Sequence, residues 1–255
     1  MRKFLLAVCM LCTAAVAGSP VSAVFPAKNG CFPIDSAGTT LTVDGTHPVM
    51  SWLAFNTRKF DTGNLNSAIL LLPIKSIRSS GIYGVHALMT PVNALEGSVR
   101  AKDLHYDDMP IASANIDSSF VDGMLLLNIT EQVRSRTFFG ILIRSMEGLS
   151  ASFSARTAFP SPAVICVRDT TGVSGASPVA KWFIGKDHPV PSFGRPGDFY
   201  AQPVKGIIYR KSAVSWDSLL ILKPPLSLPA VAAKRQKSTD RSNRKLSKQS
   251  GQVTQ

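Results

Sequence analysis

This 255-residue chain predicts an all-β fold, an antiparallel β-sandwich of jelly-roll type. Three observations carry the prediction. Short stretches with two-residue hydrophobic alternation follow one another from 51 to 169. Turn-forming residues separate them. Their number fits one sandwich of about 145 residues.

The elements read in order. In 51–56, Leu53 and Phe55 point one way and Trp52 and Ala54 the other. Residues 68–74 (AILLLPI) form a nearly continuous apolar strand, in which Pro73 marks an edge or a bulge. Residues 81–89 and 124–129 (MLLLNI) supply two more. The next, 138–144, sets Phe139, Ile141 and Ile143 against Phe138, Gly140, Leu142 and Arg144. Then 149–156 sets Leu149, Ala151, Phe153 and Ala155 against Ser150, Ser152, Ser154 and Arg156, a half-buried strand with one wet face. Between two of these strands, 130–133 reads as a short helical turn that Thr130 can cap.

The ends of the chain read differently. Arg2 and Lys3 precede the apolar stretch Phe4 to Val16, and the segment closes at Val21-Ser22-Ala23, so 1–23 is expected to be a signal peptide and the protein to be extracellular or at the cell surface. That apolar run is too short to span a bilayer, and no later stretch is long enough. Cys31 and Cys166 remain after cleavage, as a disulfide between the first and last strands of the sandwich or as two buried thiols. Charge is uneven: 24–170 holds twelve Lys/Arg and twelve Asp/Glu, whereas 171–229 carries a net +4 and 230–255 a net +6. The last part, 227–255, has few large apolar residues and is expected to be a disordered basic tail with non-specific affinity for anionic polymers. It offers no aromatic residue for stacking on bases, which argues against a specific nucleic-acid partner.

The order SWLAFN, SAILLLPI, LLLNITEQV, FFGILIRS, SASFSAR and PSPAVICV resembles the DNRLRE family of carbohydrate-binding β-sandwich modules, over about residues 31–169. The resemblance implies a non-catalytic module within 24–170. Thr157 stands where that family often has an acidic residue. After a linker at 171–180, residues 181–226 are similar to the small "W.G…GDFY…Y.K…W" module of bacterial surface and tail-associated collagen-like proteins. The matching residues are Trp182, Gly185, Gly197, Asp198, Phe199, Tyr200, Tyr209, Lys211 and Trp216. Read physically, it is a small hairpin unit with a core of Phe199, Tyr200, Tyr209 and Trp216.

The expected chemistry is binding rather than catalysis, so no enzyme is predicted. A sugar needs exposed rings with nearby polar groups. Parity nominates Trp52 as a ligand-binding residue, with Tyr83, His86 and Tyr106; the alternative is that Trp52 is core from the other sheet. Asp103, Asp107 and Asp108, in the loop-like KDLHYDDMP, are a structural calcium site or a solvated loop. The expected function is carbohydrate binding on a polysaccharide or cell-envelope glycan. The alternative is a structural surface or tail-fibre-like protein that serves assembly.

Overall fold

The computed structural model describes residues 21–32, 39–47, 49–60, 62, 64–91, 103–168 and 180–223. In chain order its strands are β1 (Val21–Val24), β2 (Pro26–Phe32), β3 (Thr40–Asp44), β4 (Met50–Phe55), β5 (Leu65–Ser79), β6 (Gly81–Leu88), β7 (Tyr106–Ile116) and β8 (Met124–Asn128). The short helix α1 (Thr130–Arg134) leads to β9 (Gly140–Glu147), β10 (Ser150–Ser154) and β11 (Ala163–Arg168). The last strands are β12 (Trp182–Ile184), β13 (Phe199–Gln202), β14 (Ile207–Lys211) and β15 (Trp216–Ile221).

The predicted antiparallel sandwich is present. One sheet has five strands in the order β2-β4-β9-β6-β7. The other, of six strands, is built along β5. On one side of β5 lies β8, in register from Ile69↔Asn128 to Pro73↔Met124. On the other side β11 pairs with the first half of β5 and β10 with the second, handing over between Leu71 and Ile74. Ile74 donates its N–H to Gly123 on the β8 side, so position 73 faces the opposite side, into the hand-over gap. Pro73 has no N–H and sits where no ladder bond is missed. β1 and β3 complete the sheet by pairing with β11 and β10.

The alternation read from the sequence sets the main core. Leu53 and Phe55 of β4, Ile141 and Ile143 of β9, and Ala151 and Phe153 of β10 all point between the sheets, against Leu70 and Leu72 of β5. The predicted helical turn exists as α1, but Thr130 does not cap it. Its hydroxyl accepts the Ala68 N–H at 2.9 Å and donates to Asn128 Oδ1 at 2.6 Å, tying the turn to β5.

The near-continuous apolar strands are apolar on both faces because both faces are covered. Ile69 and Leu71 of β5, with Ala163, Ile165 and Val167 of β11, point away from the main core. They pack on Phe199, Ala201, Ile208 and Leu222 of a third sheet, β12-β13-β14-β15. Ser161 donates its N–H to the Leu222 carbonyl across this contact at 3.0 Å. Each fully buried large side chain here contributes about 1.5–3 kcal/mol. The C-terminal module, expected as a small unit beyond a linker, therefore shares a core with the sandwich. Residues 171–179 of the expected linker, 1–20 of the expected signal and the whole expected tail lie outside the described residues. The expected cleavage point after Ala23 falls inside β1. No helix among the described residues is long and apolar enough to cross a membrane.

Candidate functional site

The third sheet covers the outer face of the six-stranded sheet along β5 and β11, and the predicted ligand residues lie on the five-stranded sheet. Period-two geometry sends Met50, Trp52 and Ala54 of β4 to this face, as read from the sequence. Trp52 is nevertheless only 4% exposed. Its register partner on β2 is Gly30, and a Cβ there would come within 2.7 Å of the indole Nε1. The ring therefore lies down over bare backbone, boxed in by Leu88, Leu104 and Leu142 and partly covered by Tyr106. An outward ring thus becomes a small second core, and the expectation that Trp52 offers a glycan-stacking face is corrected.

Tyr83 is also removed from the candidate surface. It faces the main core beside Val85, and burial raises its hydroxyl above the usual tyrosine value.

His86 lies on the outer face, in register with Leu142 and Pro110, and is fully buried. Its Nδ1 is 2.8 Å from the Asp107 carbonyl, which can only accept, so Nδ1 carries the proton. That leaves the Nε2 lone pair to accept the Nε–H of Arg144 at 3.0 Å. The bond from Arg144 requires the neutral ring, because a protonated Nε2 has no lone pair to accept with. Burial is the main cause that lowers the His86 pKa; the Asp107 carbonyl pulls the other way, and the Arg144 charge adds to the lowering.

Tyr106 alone of the predicted rings is half-exposed. It stands against His86 at 5.7 Å between centroids and 73° between planes, an edge-on contact. Its hydroxyl has no hydrogen-bond partner among the described residues. Beyond it, Met146 of β9 lies across Gly84, where a Cβ would meet Met146 Sδ at 2.9 Å and His86 Nε2 at 3.0 Å.

The three aspartates do not converge. Residues 106–108 open strand β7 rather than a loop, in a bulged stretch where Tyr106 and Pro110 pair with Leu88 and His86. Asp107 Oδ1 accepts the Met109 N–H at 3.0 Å. Asp103 lies before the strand, its carbonyl accepting from Thr90 Oγ1 at 3.4 Å. Among the described residues no group of three His, Cys, Asp or Glu side chains could hold a metal ion.

No disulfide joins Cys31 to Cys166. Ser51 Oγ donates to the Thr42 carbonyl at 2.6 Å, which leaves Cys31 S–H to donate to Ser51 Oγ at 2.9 Å, while Thr42 N–H donates to Cys31 Sγ at 3.3 Å. Cys31 is thus beside Thr42, which pairs with Ser152, whose partner on β5 is Ser76; Cys166 instead pairs with Ala68. Ala68 and Ser76 are about 26 Å apart along the strand at ~3.3 Å per residue. A bridge needs Cα atoms within about 7 Å. Terminal strands that seemed adjacent in the sequence pattern are in different sheets.

The "GDFY" module divides its aromatic residues between two faces. Phe199 packs on the sandwich, with Trp182 stacked on it at 4.7 Å. Tyr200, Tyr209 and Trp216 form a cluster on the other face. There, buried donors hold the carbonyls of the segment 185–198. Tyr200 O–H donates to Asp187, Gln202 Nε2 to Lys186, Trp216 Nε1 to Val190 and Phe193, and Lys211 Nζ to Pro191. The Asp198 carboxylate accepts the N–H groups of Lys181 and Arg195 at 2.9 and 2.8 Å. The motif residues are thus pins for a loop.

Sequence reasoning missed Arg144 and Gly30 as the residues that organise the outer face. A glycine inside a strand opposite a tryptophan is the signal that could have found the second. No family model matches this chain, and no curated protein matches it.

Proposed function

We propose that the protein is a secreted or surface, non-catalytic carbohydrate-binding protein that meets its ligand on the outer face of the five-stranded sheet, through Tyr106 and Arg144. One observation carries this reading: the Tyr106 ring stands edge-on against a buried His86 whose second nitrogen holds Arg144. Ring and guanidinium are placed before a ligand arrives, so little side-chain entropy is lost on binding. A pyranose presents a C–H face that stacks on such a ring. Arg144 uses only its Nε–H on His86, leaving four N–H donors for hydroxyl groups. The resemblance of 31–169 to the DNRLRE family and the signal-like 1–23 support the same reading.

A glycan array with the full chain, followed by Tyr106→Ala and Arg144→Gln on the best ligand, tests it. Each variant is expected to weaken retention about tenfold while the protein still unfolds in one cooperative transition well above the assay temperature. Wild-type retention in both variants would remove this face from recognition. A second reading, assembly through this face, is favoured by the exposed Met89, Met109 and Met146 in or beside its strands, at 49%, 74% and 47% exposure. Concentration-dependent association in sedimentation, abolished by polar substitutions at these three, would support it.

A further inference from the structure

A second concave feature lies where the third sheet meets the sandwich. A cleft of about 220 Å³ is bounded by the Pro73–Lys75 stretch of β5, the turn at Asp122 and Gly123, Phe159 and Pro160, and Pro203 and Val204. Gly206 sets its width: its φ is +61°, and a Cβ there would meet Pro160 at 2.9 Å and the Phe159 ring at 3.2 Å. Two elements distant in sequence are thereby held edge to edge.

We propose that this cleft is a second glycan subsite that takes one neutral sugar ring of a longer chain. Phe159 is 47% exposed, and with Pro160 and Pro203 it gives an apolar wall for a sugar's C–H face. Lys75 Nζ is held by the Phe159 carbonyl at 2.7 Å and keeps two N–H donors. The Asp122 carboxylate is exposed and, among the described residues, has neither a hydrogen bond nor an ion pair. One ammonium and one carboxylate across an apolar wall suit a neutral ligand with many hydroxyls, each able to donate to the one and accept from the other. An anion or a cation would be repelled by half of the site. The volume falls below the roughly 300–1,000 Å³ of sites that enclose a whole small ligand, which fits one ring of a chain.

The inference rests on the reading of the protein as glycan-binding and adds a place. Calorimetric titration of the full chain with neutral oligosaccharides of glucose, galactose, mannose and N-acetylglucosamine tests it. The variants are Asp122→Asn, which tolerates the left-handed backbone of that position (φ +59°), and Phe159→Ala, compared with Tyr106→Ala. A loss of about tenfold in affinity in Asp122→Asn and Phe159→Ala, with unfolding midpoints unchanged, is the expected result. Weakening by Tyr106→Ala alone would overturn the cleft and leave the sheet-face reading standing. Weakening by the cleft variants alone would uphold the cleft and move recognition away from the sheet face. No binding of any of these sugars would overturn both.

Discussion

Replacing Trp52 with Ala is expected to cost stability rather than binding. The side chain is 4% exposed, and a buried tryptophan removes about 150–250 Å² from water. At ~25 cal/mol per Å² this is about 4–6 kcal/mol, an upper bound because the unfolded chain already buries part of that surface. Alanine retains a little of it, so the expected loss is about 3–5 kcal/mol. The reasoning has a sharper consequence at Gly30. A Cβ there would meet Trp52 Nε1 at 2.7 Å and Cε2 at 2.9 Å, and the ring cannot retreat because Leu142 and Leu88 pack against it. Gly30→Ala alone is expected to cost about 1–3 kcal/mol. In the Trp52→Ala background the obstructing ring is gone, and the same change should be neutral or stabilising. Urea unfolding of the four proteins closes a double-mutant cycle with a coupling of about 1–3 kcal/mol. Additivity within about 0.5 kcal/mol, or a Trp52→Ala cost below about 1 kcal/mol, would refute the description of this face.

Other expectations are independent of that ring. Because the folded chain holds His86 below its ordinary pKa, the unfolded chain takes up a proton there first as pH falls. The stability contribution is complete above about pH 6.5 and declines as pH drops from there toward the folded value. The urea midpoint of the wild type should therefore fall more between pH 7.5 and 5.5 than that of His86→Gln; equal slopes would overturn the neutral-ring assignment. Cys31 and Cys166 should each take up one alkylating group when the protein is denatured without reductant, read by peptide mass, and reductant should leave the midpoint unchanged. Lys211→Met should lower stability by about 1–3 kcal/mol, since it leaves the Pro191 carbonyl without its donor and removes the ammonium lying 5.8 Å from the Trp216 ring. Faster proteolysis within 185–198 would accompany it, and a wild-type cleavage rate would count against the pinning of that segment.

Much of the sandwich is written in the alternation. Leu53 and Phe55, Ile141 and Ile143, and Ala151 and Phe153 all face inward as the period of two dictates. The third layer was also visible in principle. Runs such as 68–74 and 163–167 are apolar at every position, and a strand needs that only when both its faces are covered. The sequence does not say what covers the second face, so the partner sheet read as a separate module. Strand β7 was hidden because Asp107, Asp108 and Pro110 are poor strand formers, tolerated at the edge of a sheet where one side of the backbone is unpaired. Parity sent Trp52 to the correct face and failed on its exposure. Exposure there depends on Gly30, whose pairing opposite the ring is a matter of register between β2 and β4.

The loop 185–198 is held in large part by its carbonyl oxygens, with the Asp198 carboxylate and the rings of His188 and Phe193 as its own side-chain anchors. Lys186, Asp187, Val190, Pro191 and Ser192 project into solvent, His188 and Phe193 lean on the rings of Tyr209 and of Phe183, Tyr200 and Trp216, and the side-chain donors that bind the carbonyls belong to Tyr200, Gln202, Lys211 and Trp216. Every residue type supplies a carbonyl. The path of this loop is thus encoded largely elsewhere in the chain, and backbone or space restricts the choice at Gly185, Gly194 and Gly197: a Cβ at Gly185 would collide with the Tyr200 hydroxyl, and Gly194 and Gly197 have φ of +77° and +96°. At Lys186, Asp187, Val190 and Ser192, whose side chains are exposed, the chain can exchange one side chain for another and keep its course, so these positions are a frame in which new surface chemistry can arise without refolding the protein.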